Sequence, residues 1–154
     1  TLKVPNSSKI YLDTAKSIKE QLKEVGITVD LEIIEWATWL SDVYTNRKYE
    51  ASLAGLAGKM EPDAILRRYT STYAKNFTNF NNARYDALIE EAKRTSNEAK
   101  QIENYKEAQK ILAEEQAAIF LMDPNTIIAT EKGLEGFEFY PLPYFNFAKL
   151  YFKK

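Results

Sequence analysis

The residues best suited to contact a ligand lie in one short glycine-containing stretch of the chain. It contains Gly55, Leu56, Ala57, Gly58, Lys59 and Glu61, and it leads into Pro62 and Asp63. Lys59, Glu61 and Asp63 could pair with ionised groups of a ligand. They could equally form a solvated turn, with Asp63 in the first turn of a helix that begins at Pro62, where an acidic side chain is favoured. These residue types alone leave both interpretations open.

Two tryptophans offer a different kind of contact. Trp36 and Trp39 follow a segment of alternating apolar and polar residues. An aromatic side chain at such a position could line a pocket, although tryptophans more often pack in part against the protein interior. Trp39 lies on the apolar face of a predicted helix and is expected to pack. Trp36 remains a candidate ligand-binding residue.

Two missing residue types limit the chemistry of the chain, which contains no histidine and no cysteine. Histidine is the usual general base near neutral pH and the commonest metal ligand, so triads that depend on it are excluded. Thiolate metal sites and disulfides are excluded as well. This composition favours a binding module over an enzyme. The enzyme alternative is a carboxylate-dependent hydrolase or transferase that uses Glu61 and Asp63.

The charge balance gives no sign of a nucleic-acid partner, since 21 basic and 22 acidic residues leave a net charge of −1. A phosphate-binding surface would show a clear basic excess. The spacing of Gly55 and Gly58 also lacks the pattern of a phosphate-binding loop. We therefore expect no nucleotide, no other cofactor and no metal.

The first part of the chain alternates strands with helices. We predict strands at 1–4, 27–33 and 51–56, the last of them buried on both faces because it is small and apolar. Helices are expected between Ser8 and Gly26, at 38–46 and from Pro62 onward, with Gly26 as a left-handed residue after the first helix. Such a βαβαβ order predicts an α/β fold with a mostly parallel sheet. Ligands of such sheets bind beyond the carboxyl ends of the strands.

The second part is mainly helical and ends in an aromatic segment. We expect a long ordered loop at 70–82 and then a helical hairpin, whose inward stripes are Tyr85, Leu88, Ile89 and Ala92, and Ile102, Tyr105, Ala108 and Leu112. Two strand pieces are predicted at 119–122 and 126–130. Residues 137–152 are so rich in aromatic side chains that we expect them to pack on another surface. A protein-interaction domain that docks through this tail is therefore a further alternative.

Several segments of the chain, taken in order, resemble the family-5 extracytoplasmic solute-binding proteins, the oligopeptide, dipeptide and nickel receptors of ABC importers. They are AKSIKEQLKEVGITV at 15–29, YE at 49–50, EPD at 61–63, YDALIEEA at 85–92, YKEAQKILAEE at 105–115 and KGLEG at 132–136. Each segment alone is weak, and the resemblance depends on their order. It covers nearly the whole chain.

The resemblance implies that the chain is the C-terminal lobe of a receptor in which two lobes close on a solute. Residues 1–132 would form the periplasmic-binding-protein-like α/β ligand-binding lobe, and residues 133–154 a tail that packs on this lobe or on a second one. The receptor would be extracytoplasmic, anchored to the membrane in its full-length form, and would deliver a small solute, most often a short peptide, to an ABC permease without covalent chemistry.

The resemblance also locates the ligand site. In peptide-binding members the matching loop often carries Gly-Trp and then an acidic residue that pairs with the ammonium group of the peptide. Here those two positions are Leu56 and Gly58. Glu61 or Asp63 could replace the acid, and Lys59 could instead pair with a carboxylate. We therefore expect Trp36, residues 55–59 and Glu61 to contact the ligand.

Overall fold

The computed structural model describes residues 1–125, 127–140 and 144–153. Its first part is built on a three-stranded sheet with strand order β2-β1-β3. Strand β1 (Leu2–Pro5) lies in the centre, β2 (Leu31–Ile34) on one side and β3 (Ala51–Ser52) on the other. Both pairings are parallel, with Val4 opposite Ile33 and Lys3 opposite Ser52. The predicted α/β fold with a parallel sheet is confirmed.

Two of the strands are shorter than their sequences predict. Strand β2 begins at Leu31 rather than Ile27, because Leu31 is the residue paired with the first residue of β1 and the chain before it has no opposite strand. Strand β3 contains two residues instead of six, and one further bond, from the amide of Leu53 to the carbonyl of Lys3, continues it. The prediction that β3 is buried on both faces is wrong. It is an edge strand in which Ala51 is exposed and Ser52 half-buried.

Helix α1 (Lys9–Glu24) packs on the sheet through Ala15, which is buried against Leu2 and Val4. Gly26 follows its end with a φ of +83°. The amide of Gly26 donates to the carbonyl of Lys23 at 3.0 Å, and that of Ile27 donates to the carbonyl of Leu22 at 2.9 Å. These two bonds form a Schellman motif, so the predicted left-handed glycine is confirmed.

Helix α2 (Trp36–Trp39) begins two residues before its predicted start and continues as a π-helical segment from Leu40 to Thr45. The wider turn is visible in the bond from the amide of Asn46 to the carbonyl of Ser41. The sequence of the helix predicted at 38–46 places Trp39, Leu40, Val43 and Tyr44 on the inward face. Trp39 and Val43 are buried. Leu40 is 38% exposed, because neighbouring residues of a helix point about 100° apart and Trp39 takes the inward direction.

The helical unit consists of α3 (Pro62–Leu66), a 3-10 turn (Arg67–Tyr69), α4 (Ala83–Arg94) and α5 (Glu98–Glu114). The predicted helical hairpin is thus confirmed. Its core contains Leu66, Tyr69, Tyr85, Ile89, Ala92, Tyr105, Ala108, Ile111 and Leu112. Ile102 was predicted to face this core but is 46% exposed, and Ile111 is buried although it was not predicted to be. The inward stripe of α5 is therefore shifted, and it includes the buried Asn104.

The loop between the 3-10 turn and α4 is ordered, as predicted, and it joins the helical unit to the sheet. Asn76 is 4% exposed, and its side-chain amide donates to the carbonyls of Phe80, Thr70 and Tyr69 at 2.8, 3.1 and 3.4 Å. From the other side, Arg47 donates through Nε to the carbonyl of Asn76 at 3.1 Å.

After α5 the chain has no regular secondary structure until residue 134 among the residues described. The predicted strand at 119–122 is wrong, and so is the described part of the one at 126–130; Thr126 lies outside the described residues. Ile119 is 80% exposed and Ile127 91% exposed. An apolar run forms a strand only where a neighbouring strand accepts its hydrogen bonds, and these residues have none.

The aromatic tail forms a small unit of its own. Strand β4 (Leu134–Glu135) pairs antiparallel with β5 (Tyr151–Phe152). Phe137 contacts Phe139 and Phe145 with ring centroids 5.0 and 5.8 Å apart. Many tail rings nevertheless remain exposed, such as Phe139 at 65%. Pro141 and Pro143 lie outside the described residues. None of the described helices has the length and apolarity needed to cross a membrane.

Candidate functional site

Three chain segments emerge from the carboxyl edge of the parallel sheet. Residues 6–8 follow β1, residues 35 and 36 follow β2, and residues 53–61 follow β3. Because β1 is central, the segment after it lies between the other two. This edge is where open parallel sheets bind ligands, which makes these segments the candidate site.

The segment after β3 is an exposed loop. Gly55, Leu56, Ala57, Gly58, Lys59 and Glu61 are all exposed, so the structure places every site residue predicted in this loop at the surface. The carbonyl of Ala57 accepts a bond from Nη2 of Arg68 at 3.4 Å. A Cβ atom added at Gly55 would lie 2.7 Å from the Tyr11 hydroxyl oxygen. Gly55 thus allows Tyr11, on α1, to approach the loop backbone.

Asp63 does not join this exposed group. It lies in the first turn of α3, forms an ion pair with Arg67 at 3.7 Å, and has one buried oxygen, Oδ1, without a hydrogen-bond partner in the described part of the chain. Burial raises the pKa of Tyr105 on α5, and the negative charge of Asp63 adds to that rise. The charge of Glu61 adds to this rise as well, and the two carboxylates differ in burial, since Asp63 is half-buried and Glu61 is exposed.

Trp36 lies at the opposite side of the edge, just after β2. Its ring stacks on that of Trp39 with centroids 5.0 Å apart and planes within 6° of parallel. Trp39 is buried, and its indole N–H donates to Oγ of Ser52 at 2.9 Å. Trp39 is therefore a packing residue, as predicted. Trp36 is 38% exposed. One face of its indole therefore packs on the buried Trp39, and part of the side chain is open to solvent.

The support under Trp36 extends further into the protein. The hydroxyl of Ser52 donates in turn to the carbonyl of Lys3 at 2.8 Å. Phe77 packs edge-on against Trp39, with ring centroids 5.7 Å apart, and also contacts Tyr44 at 5.3 Å. These contacts hold Trp39 in place, and Trp39 is the surface on which the Trp36 ring stacks.

Glu35 is a residue of the edge that the sequence did not single out as a site residue. Nδ2 of Asn6, just after β1, donates to Oε1 of Glu35 at 2.7 Å. The backbone amide of Asn6 also donates to the carbonyl of Ile34 at 2.9 Å. Two hydrogen bonds thus join the carboxyl end of β1 to that of β2. No local pattern indicates this pair, because it forms only once β1 and β2 are aligned.

The predicted site residues therefore fall into two groups. Trp36 lies on the β2 side of β1, and residues 55–59 with Glu61 lie on the β3 side. Neighbouring strands are about 4.8 Å apart, so the two groups leave the sheet roughly 10 Å from each other. This separation suits an extended ligand that crosses the sheet edge better than a single compact group.

Similar proteins were found by sequence. No protein-family model matches the chain. The chain is 31% identical to the oligopeptide-binding protein AppA of Bacillus subtilis over 144 residues, which are 92% of the chain and 26% of AppA. It is 26% identical to the peptide transport periplasmic protein SapA of Haemophilus influenzae, over 97% of the chain and 28% of SapA. The chain thus spans about a quarter of the length of these curated relatives.

Solved structures agree with the sequence matches. The structure of AppA in complex with a nonapeptide superposes on 99% of the chain with a TM-score of 0.84 and 30% sequence identity, and the match takes up 31% of the AppA chain. The unliganded, open form of the periplasmic murein tripeptide-binding protein MppA matches 75% of the chain with a TM-score of 0.66 and 26% identity.

Proposed function

The chain belongs to the family-5 solute-binding proteins, as a segment of about a quarter of their length, and we propose that it is the part of such a receptor that contributes one wall of a peptide-binding site. The receptor captures the peptide outside the cytoplasm and delivers it to an ABC permease. The observation that carries this proposal is the match of 99% of the chain to a peptide-bound oligopeptide-binding protein.

The exposed loop after β3 supports a peptide as the ligand. An edge strand leaves main-chain N–H and C=O groups unpaired, and an extended peptide can pair with such groups. In the loop that follows, Gly55, Ala57 and Gly58 have small side chains or none, which lets another backbone come close, and Leu56 adds an exposed apolar side chain. Lys59 and Glu61 then provide charges at its end. In this proposal the ligand lies across the carboxyl edge of the sheet, from this loop toward Trp36.

We infer that the protein binds without covalent chemistry. The carboxylate-dependent enzyme requires Glu61 and Asp63 to act together, whereas Asp63 is half-buried and paired with Arg67 and Glu61 is exposed. The named relatives are binding and transport proteins. Turnover of a substrate that is lost in Glu61→Gln would contradict this inference.

The tail from residue 133 is proposed to pack on the rest of the receptor, not on a separate partner protein. Its exposed rings, among them Phe139 and Phe147, support a covering surface. Concentration-dependent dimerisation that disappears when residues 137–154 are deleted would instead favour the interaction-domain alternative.

The proposal is tested by titrating the isotope-labelled chain with pools of tripeptides to nonapeptides up to millimolar concentration and following amide chemical shifts. We expect weak, saturable shifts at residues 53–61 and at Trp36. Lys59→Ala and Glu61→Ala should each weaken binding of the best peptide about tenfold, since a charge-assisted hydrogen bond contributes roughly 1.5 kcal/mol.

Lys110→Ala is the matched control, because Lys110 is an exposed residue of α5. Its titration should be unchanged. If no peptide shifts any amide of the sheet edge, peptide binding by this chain is wrong. Shifts confined to the helical hairpin would contradict the proposed site.

A further inference from the structure

Glu35 is an exposed carboxylate at the sheet edge that is held in place without being neutralised. Its Oε1 accepts the bond from Asn6, and Oε2 makes no hydrogen bond to the residues that the structure describes. On the neighbouring strands, Lys3 pairs with Glu32 at 3.5 Å and with Asp42 at 3.9 Å. Within the described residues, no lysine or arginine lies within 4.0 Å of Glu35. An amide holds the carboxylate in position while its negative charge remains available.

The residue after Glu35 offers a second element of cation recognition. Consecutive Cα atoms are 3.8 Å apart, so Glu35 and Trp36 leave the sheet at the same point. One face of Trp36 is covered by Trp39, and the side chain is still 38% exposed. The face of an indole attracts a cation within about 6 Å of its centroid, and the attraction is strongest for tryptophan.

We propose that Glu35 and Trp36 form a subsite for a cationic group of the ligand, an alkylammonium or a guanidinium. This inference rests on the proposed function and adds the chemistry of one ligand group. The backbone of Glu35 and Trp36 leaves the sheet after β2, whereas the loop of residues 53–61 leaves it after β3, on the other side of β1. Glu35 supplies the opposite charge, Trp36 the aromatic face, and Asn6 fixes the carboxylate.

The cation can be the terminal ammonium of a peptide or a lysine side chain, and four probes distinguish these sources. They are trialanine, N-acetyl-trialanine, Ala-Lys-Ala and N-acetyl-Ala-Lys-Ala. Each is titrated into the wild-type chain and into Glu35→Gln, with amide chemical shifts as the readout. Glutamine keeps an oxygen for Asn6, and the Glu35 side chain does not cap α2, so the fold of the variant should be retained.

For a terminal-ammonium subsite, Glu35→Gln should weaken binding of trialanine and Ala-Lys-Ala about tenfold and leave both acetylated probes unchanged. For a lysine subsite, the loss should appear with Ala-Lys-Ala and persist after acetylation. Trp36→Leu should reduce binding of the same cationic probes, and Trp36→Phe should reduce it less. The control Glu24→Gln, at the exposed end of α1, should change nothing.

The outcomes separate this inference from the proposed function. If every probe and peptide fails to bind the wild-type chain, the proposed function is wrong and the subsite fails with it. If peptides bind, but Glu35→Gln and Trp36→Leu bind the probes with and without an ammonium group as the wild type does, the subsite alone is overturned.

Discussion

Asn76 shows how much one polar side chain can organise in this protein. Its amide nitrogen reaches three backbone carbonyls within its own loop, and its Oδ1 accepts a bond from the Thr78 hydroxyl at 2.8 Å. Buried backbone carbonyls need hydrogen-bond partners, and in this loop a side chain supplies them instead of a helix or a strand. The loop is therefore ordered although it has no regular secondary structure.

We predict that Asn76→Ala lowers the free energy of unfolding by about 2–4 kcal/mol, because it removes the Asn76 donor from the carbonyls of Tyr69 and Phe80, whereas that of Thr70 keeps the amide of Tyr73. Chemical denaturation followed by circular dichroism measures the change. Asn81→Ala is the control, because Asn81 is exposed in the same loop, and it should change stability by less than about 0.5 kcal/mol. Equal effects of the two substitutions would show that Asn76 does not organise the loop.

Single residues could be predicted from the sequence where their role is local. Gly26 was placed correctly because the end of a helix needs a left-handed residue, and Trp39 because its helical face was apolar. The pair of Asn6 and Glu35 could not be predicted, because its members are 29 positions apart and meet only through the alignment of two strands. The exposure of residues 55–61 is consistent both with a loop that contacts a ligand and with a solvated turn, the two interpretations that the sequence left open.

At the scale of elements, the two longest helices, α1 and α5, both end at a residue with a left-handed backbone conformation, but the residue types differ. Helix α1 ends with Gly26 in the left-handed region. Helix α5 ends with Gln116, whose φ is +49°, and the amide of Ala117 donates to the carbonyl of Leu112 at 3.2 Å. This conformation costs a residue with a Cβ atom about 1–2 kcal/mol, so the backbone of Gln116 at the end of α5 is strained.

Gln116→Gly should therefore raise the free energy of unfolding by about 1 kcal/mol, which thermal or chemical denaturation would detect. Glu115→Gly is the matched control. Glu115 has a φ of −91°, where glycine brings no relief, so this substitution should lower stability. A stabilising effect at both positions would point to a cause other than the backbone conformation.

Helices were predicted more reliably than strands for a physical reason. A helix forms its hydrogen bonds within one segment, so the spacing of apolar residues in α4 and α5 was sufficient to predict both helices. A strand depends on its partner, and the pairing with β1 sets the lengths of β2 and β3. The apolar run at 119–122 has strand-like composition and remains irregular because no described strand lies beside it.

For the whole molecule, the main feature is the presence of two hydrophobic cores of unequal size. The sheet core is built from Leu2, Val4 and Ala15, whereas the helical core contains nine buried residues. Hydrophobic stabilisation grows with the apolar area buried, so the helical unit is expected to be the more stable of the two. The contacts of residues 70–82 with Arg47 and Trp39 connect them.

We predict that the two units do not unfold together in denaturant. Both tryptophans, Trp36 and Trp39, belong to the sheet unit together with α1, whereas α4 and α5, with 12 and 17 residues, belong to the helical unit and contain more α-helical residues than the sheet unit does. Tryptophan fluorescence should therefore report a lower midpoint than circular dichroism. Coincident transitions would indicate a single cooperative unit and would contradict this expectation.

The buried position of Asn76 has a practical consequence for producing the protein. Residues 76–78, Asn-Phe-Thr, match the acceptor pattern for N-linked glycans. In a eukaryotic secretory host the unfolded chain would expose this asparagine, and an attached sugar could not be accommodated where the folded loop leaves it 4% accessible. Expression yields in such a host should improve on replacing Thr78, which removes the acceptor pattern and loses only the hydroxyl bond to Oδ1 of Asn76 and the 3.4 Å bond from the amide of Phe80, whereas replacing Asn76 would remove the amide that organises the loop.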